Sequence, residues 1–244
     1  MVVTMMRPAC AHGAAAILVS AVGWAAVFAS AEGAEPNRLT DDERRAGWVL
    51  LFDGHSLAGW RGYNRADLPD GWGVANGTLA RLGPGGDIIT ESQFGDFELS
   101  LEWKVDVGGN SGVFYRAEEG QEWIYHSAPE MQILDDANHR DGMDPLTSAG
   151  ANYGLHPAPR GVVRPAGAWN EARIVADGDR VEHWLNGVKV VEYVLGSRDW
   201  EERVAASKFA AWPAYGRARR GHIGLQDHGD PVWFRNVKIR SIRP

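Results

Sequence analysis

Nine consecutive residues, Phe97 to Val105, alternate without a break. Phe97, Leu99, Leu101, Trp103 and Val105 are apolar, while Glu98, Ser100, Glu102 and Lys104 are polar. A period of two places one set on each face of an extended chain, so this segment is a strand with one buried face. The same pattern recurs along the sequence. Asn76-Gly77 separates Trp72–Ala75 from Thr78–Ala80, and Asn186-Gly187 separates Arg180–Leu185 from Val188–Val194. Asn-Gly between apolar runs predicts a two-residue hairpin turn. Further strands are expected at 48–52, stopped by Asp53-Gly54, and at 111–116, 129–135, 169–176, 221–226 and 232–242. Only 201–209 reads as helix. Turn signals about every ten residues with so little helix predict an all-β sandwich of antiparallel strands.

The chain organises simply. Residues 47–244 read as one β-sandwich domain, 32–46 as a polar lead-in, and 1–31 as a secretory signal peptide. Arg7 precedes a mostly apolar run from Ala14 to Ala29, and Ala29-Ser30-Ala31 has the small-x-small form of a cleavage site. The run is shorter than the ~20 apolar residues of a membrane span. Cys10 lies ahead of the run, where a lipoprotein cysteine would not sit. Export to the periplasm or the extracellular space is therefore expected, with no membrane insertion after cleavage. The one cysteine, Cys10, goes with the signal, so core burial and not disulfides must hold the domain together. Removing Arg7 leaves 24 of the 25 basic side chains against 32 acidic ones, which disfavours nucleic acid and anionic membranes as partners. Ten of the 11 tryptophans remain once Trp24 is gone; most should fill core, and one or two could offer flat faces to a ligand.

Five polar groupings are candidates for chemistry. On the strand at 129–135, Glu130 and Gln132 share the face opposite Met131 and Ile133. On the strand at 221–226 and its exit, Gln226 and His228 oppose Ile223 and Leu225. If both strands lie in one sheet, these four side chains could converge. His183 pairs with Leu185 on its strand, which fits a hydrogen-bonded core residue as well as a site residue. Asn170 and Arg173 alternate to opposite faces, and Arg173 also reads as a paired structural arginine. The Pro-, Gly- and Asp-rich segment 126–165 contains His126, His139 and His156; Tyr153 and Leu155 favour an ordered loop over the mouth of a site. Asn110-Ser111-Gly112 has the composition of a tight turn. Gly83–Gly86 lacks the lysine and helix start of a phosphate loop. His126, His139, His156 and His228, with Asp135, Asp136, Asp141 and Asp230, could supply ligands for a divalent cation, but their spacing specifies no site.

Several blocks together resemble one family. Residues 47–60, with Leu51-Phe52-Asp53-Gly54 and Gly59-Trp60, are similar to the opening of the 3-keto-disaccharide hydrolase family. Residues 110–116, 129–135, 165–170, 181–187 and 221–229 resemble its later blocks in the same order, so the likeness runs from Trp48 to about Ile242. The resemblance implies a concanavalin-like jelly roll, two curved antiparallel sheets with a concave ligand groove. It also implies a carbohydrate substrate already oxidised to a ketone at sugar carbon 3. Such a ketone acidifies the neighbouring hydrogen on carbon 2. A base can remove it, the group on carbon 1 is expelled, and water adds back. The residues expected around such a substrate are Glu130, His156 and His228 as acid–base groups and Arg116, Gln132, His183 and Gln226 as contacts. Arg116 shares its strand face with the apolar Phe114, a conflict left open by the pattern. A non-catalytic carbohydrate-binding module of the same fold is the alternative.

Overall fold

A computed structural model of the chain describes Met1 and residues 35–242. The chain falls into two compact units, Met1–Ala31 and Glu32–Pro244. The expected signal peptide and its cleavage site lie outside the described residues. No helix among the described residues is long and apolar enough to cross a membrane.

The second unit is a two-layer antiparallel β-sandwich. Its larger sheet contains β1 (Val49–Leu50), β3 (Trp72–Ala75), β4 (Thr78–Arg81), β6 (Phe97–Val105), β9 (Asn170–Asp177), β10 (Arg180–Leu185), β11 (Val188–Val194) and β13 (Val232–Ser241). The order is β11-β10-β9-β6-β13-β4-β3, with β1 paired to β13. The smaller sheet contains β2 (Trp60–Gly62), β5 (Ile88–Phe94), β7 (Asn110–Ala117), β8 (Glu130–Leu134) and β12 (Gly221–Leu225), in the order β2-β5-β12-β7-β8. Both Asn-Gly turns form as expected. Asn76 and Gly77 have φ of 50° and 72°, and Asn186 and Gly187 have 49° and 80°, the left-handed pair that a twisted two-residue hairpin requires.

The apolar face of β6 meets Val113 and Tyr115 of β7, Met131 and Ile133 of β8 and Ile223 and Leu225 of β12 in one core between the sheets. A second, smaller apolar cluster, Ile89, Phe114, Ala117, Ile124 and Ala128, lies on the other face of the five-stranded sheet. Trp60, Trp72, Trp103 and Trp200 are buried, fewer than the expected majority, and most of the others are only half-buried. Others carry cations on their faces: Lys104 Nζ is 4.7 Å from the Trp233 ring centre, and the guanidinium carbons of Arg235 and Arg173 are 4.2 and 4.3 Å from Trp169 and Trp184. These pairs let large rings lie partly exposed on a strand face without leaving bare apolar surface.

Local differences from the sequence reading have physical causes. The lead-in contains a short helix, α1 (Asp41–Arg45), started by a reciprocal capping box between Thr40 and Glu43. The helical piece at 201–209 is α2 (Arg198–Ala205), which ends before a separate 3-10 turn, Lys208–Ala211. Ser197 and Ser207 each cap their own segment, which divides the run in two. Asn110-Ser111-Gly112 is the start of β7 and not a turn.

Arg116 is a correction. Its backbone sits at φ 51°, and the β7–β12 register slips between His222 and Gly224. This bulge resolves the conflict with Phe114: the extra residue turns the arginine off the Phe114 face. The buried side chain runs to the larger sheet. Nε donates to Gly95 O at 3.0 Å, and Nη2 donates to Asp96 Oδ1 at 3.1 Å and Gly178 O at 2.9 Å. Asp96 Oδ1 also accepts from Gly178 N at 2.9 Å. Arg116 therefore ties β7 to the turn that joins the two layers between β5 and β6 and to the β9–β10 turn of the opposite layer.

Candidate active site

The outer face of the five-stranded sheet carries a cavity of about 220 Å³ lined by Asn110, Tyr125, Glu130, Gln132, Tyr153, Lys208, Gln226 and His228. Four of the seven expected residues, Glu130, Gln132, Gln226 and His228, converge here. Strand pairing explains it. In β7 and β8, Gly112 stands opposite Gln132 and Phe114 opposite Glu130, which sets both polar side chains on the outer face. Met131 and Ile133, between them, enter the core. On the other side of β7, Gln226 N donates to Gly112 O at 3.0 Å and Ser111 Oγ to Gln226 O at 2.9 Å, so the exit of β12 lies beside the same glycine.

Gly112 makes room for the carboxyl. A Cβ at this position would fall 2.1 Å from Glu130 Oε1, so any side chain would push Glu130 out of place. Glu130 is only 6 % exposed, and among the described residues no hydrogen bond or ion pair reaches its carboxyl. Burial pushes its pKa up to about 8, against a smaller downward pull from the Lys208 charge and a small upward push from Asp87. At neutral pH it therefore holds its proton. Burial likewise moves the Lys208 ammonium below the usual lysine range, opposed by Glu130 and Asp141. Lys208 Nζ lies 4.5 Å from the ring centre of Tyr153 and 5.2 Å from that of Tyr125. Aromatic faces thus take the place of a direct counter-ion.

His228 forms the opposite wall. Its side chain is 47 % exposed, with Nε2 3.4 Å from the Asn110 amide and Nδ1 4.0 Å from Asp230 Oδ2. Partial burial lowers its pKa, helped by His139 and opposed by Asp230, so the imidazole is neutral at pH 7. The turn that presents Gln226 and His228 is pinned by the residue between them. Asp227 Oδ2 accepts from Gly85 N at 2.8 Å and Gly86 N at 2.9 Å, and Oδ1 accepts from Arg81 Nε. The glycine pair that lacks the marks of a phosphate loop in the sequence binds a carboxylate of its own chain. Asp227 N in turn donates to Asp87 Oδ1, and burial beside Asp227 raises the Asp87 carboxyl to about 7.

Three amides complete the lining. Both side-chain polar atoms of Gln132, Oδ1 of Asn110 and Oε1 of Gln226 are buried without a hydrogen-bond partner. Orphaned polar atoms cost free energy unless a ligand or water meets them, so a cavity lined by several of them suits a hydroxyl-rich ligand.

The structure does not bring Arg116, His156 or His183 to this cavity. Arg116 bridges the sheets, as described above. His156 is locked at the far end of its loop: Nδ1 is 3.0 Å from Asn152 Nδ2, Nε2 is 3.3 Å from Asp199 Oδ2, and its ring stacks on Tyr193 at 4.7 Å. His183 is fully buried in the core. Its Nδ1 donates to Gly150 O at 3.0 Å and its Nε2 accepts from Tyr115 Oη at 2.9 Å, and burial drives its pKa down to about 4. Their grouping with Glu130 is thus corrected to a set of structural ties. Asn170 and Arg173 are structural too. Asn170 Oδ1 accepts from Arg164 N and Asn186 Nδ2, and Arg173 Nη1 donates to Glu98. The eight expected cation donors do not gather; among the described residues no three His, Cys, Asp or Glu side chains form such a group.

The sequence pattern does not mark Asn110, Tyr125 or Lys208 as site residues. It does mark Tyr153, as part of the loop over the site: Tyr153 N donates to Glu130 O, and Gln132 N to Ala151 O, so the loop runs as an extra edge beside β8. No signal in the sequence ties Lys208 to Glu130; only the break between α2 and its 3-10 turn directs it inward.

The model of the 3-keto-alpha-glucoside-1,2-lyase-like domain matches residues 47–240. The chain belongs to this family. It is the 3-keto-disaccharide hydrolase family that the sequence blocks resemble. A family member from Bacteroides thetaiotaomicron, a 3-keto-disaccharide hydrolase, is 37 % identical over 87 % of this chain and 84 % of its own. Two predicted glycosyl hydrolases from Parabacteroides distasonis share the fold. One has a TM-score of 0.81 at 34 % identity, covering 86 % of this chain and all of its own; the other has 0.64 at 33 %, covering 80 % and 99 %.

The raised Glu130 pKa has a stability signature. The folded value near 8 exceeds the ordinary 4.5, so the folded state binds more protons between these limits and stability falls as pH rises through that window. Glu130→Gln removes the effect. The variant should melt on the order of 10 °C above the parent at pH 8, with the difference closing toward pH 4.5; calorimetric scans at the two pH values check it, and a constant difference would refute it.

Proposed function

We propose that the protein is a glycoside-cleaving enzyme acting on 3-keto-glycosides or 3-keto-disaccharides, by elimination followed by hydration. The observation that carries this reading is the pair of oppositely tuned groups in one cavity: a buried Glu130 that keeps its proton and a His228 that lacks one at neutral pH. Two titratable groups pushed apart by their surroundings assign themselves as acid and base.

The chemistry follows. Neutral His228 takes the proton from carbon 2, and the electrons of that bond pass to the carbon 3 carbonyl as an enolate. The Lys208 ammonium stabilises the negative oxygen. The enolate re-forms the ketone, the carbon 1–carbon 2 double bond forms, and the bond from carbon 1 to the leaving oxygen breaks. Glu130 gives that oxygen its proton. Water then adds at carbon 1, losing a proton to the Glu130 carboxylate, and the imidazolium returns a proton to carbon 2. The sum is hydrolysis. A family described by a lyase and a relative named as a hydrolase meet in these two halves. The amides of Asn110, Gln132 and Gln226 supply partners for sugar hydroxyls. The same mechanism does not need the pair of carboxyl groups, one protonated and one ionised, that ordinary glycosidases use.

Release of the aglycone from methyl 3-keto-glucoside tests the proposal. The rate should fall above pH 8 as Glu130 loses its proton, and on the acid side as His228 gains one, below the ordinary histidine value. Glu130→Gln and His228→Asn should each lower kcat/KM by at least about 100-fold. Binding without release would mark a carbohydrate-binding module instead.

We further propose that residues 1–31 direct export. Protein recovered from outside the cytoplasm should begin at Glu32 by mass spectrometry; an intact Met1 there, or retention in the cytoplasm, argues against it.

A further inference from the structure

Trp123 differs from the other described tryptophans. It alone among them falls with the exposed large apolar side chains, at 51 % exposure. It immediately precedes the 3-10 turn Ile124–His126. Its indole lies nearly parallel to the Tyr125 ring, with centroids 6.4 Å apart and planes 11° apart. Tyr125 lines the Glu130 cavity. That ring is held edge-on by His126 at 4.9 Å and Trp212 at 5.3 Å, and His126 in turn stacks on Trp212 at 4.2 Å. Tyr125 is thus a fixed wall of the cavity, and Trp123 stands beside that ring, exposed and outside the cavity lining.

The size of the cavity says what the extension meets. About 220 Å³ is less than the roughly 300–1,000 Å³ of sites that enclose a drug-sized ligand. A disaccharide is of that larger size, so one ring enters and the second remains outside. We propose that Trp123 is the platform for the leaving-group ring: a sugar or aryl ring attached at carbon 1 lays its flat C–H face on the indole. The proposal rests on reading the cavity as the 3-keto-sugar site. An indole half in water gains by covering, and its electron-rich face attracts the weakly positive hydrogens of a ring laid against it. Contact with a part of the substrate remote from the reacting carbons is a source of specificity without being part of the chemistry.

The test compares the full-length parent with Trp123→Ala on three substrates sharing the 3-keto-glucosyl group: the methyl glycoside, the phenyl glycoside and a disaccharide. Loss of at least about tenfold in kcat/KM on either ring-bearing substrate, with the methyl glycoside unchanged, supports the platform. Recovery by Trp123→Phe supports stacking as its basis. Equal loss on all three substrates, or no loss on any, overturns it. If the parent releases nothing from any of the three, the cleavage reading fails, and the platform is judged by calorimetric binding of the phenyl and methyl glycosides. Weaker binding of the phenyl compound alone in Trp123→Ala supports it, and equal binding overturns it.

Discussion

A carboxyl group taken out of water without a counter-ion is the constraint on which the site depends. Glu130 sits against the bare backbone of Gly112, beneath the Tyr125–Tyr153–Lys208 wall, with no hydrogen bond to favour its charged form. Desolvation outweighs the attraction of Lys208, and the group remains an acid at neutral pH. A direct Lys208–Glu130 ion pair would reverse that outcome. The lysine is drawn instead over two aromatic rings, which leaves Glu130 protonated.

The sandwich makes this arrangement durable. β7, β8 and β12 present alternate residues to the core and to the outer face, so the core residues that fix the strands also fix the site. Arg116 fastens β7 to the opposite layer. Asp227, held by two glycine amides and Arg81, steadies the turn from which Gln226 and His228 reach the cavity. Charged side chains thus do structural work just behind the site, while the site itself is lined by amides, tyrosines, Lys208, His228 and the uncompensated acid Glu130.

Much of this was legible in the sequence, for identifiable reasons. Alternation at 97–105 and the two Asn-Gly turns act locally, and the structure follows them closely. Glu130, Gln132, Gln226 and His228 were readable because strand periodicity states which face each residue takes. The bulge at Arg116 breaks that periodicity, so its direction was hidden. His183 and His156 carried the right chemistry for a site, but their partners, Tyr115, Gly150 and Asp199, come from distant segments. Lys208 was missed for the complementary reason: within its own segment it looks like a solvated helix end. β2 and β5 were also missed, since neither shows clean alternation.

In the proposed reaction a proton-bearing Glu130 and a proton-free His228 meet a substrate whose ketone makes carbon 2 acidic. The central claim is that the carbon 2 hydrogen leaves and returns during each turnover. Hydrolysis in deuterium oxide tests this most directly, because the half-exposed His228 exchanges its proton with solvent. Mass and NMR spectra of the freshly released 3-keto-sugar should show deuterium at carbon 2 beyond an enzyme-free control. Product carrying only protium at that carbon would contradict the account and leave direct displacement at carbon 1.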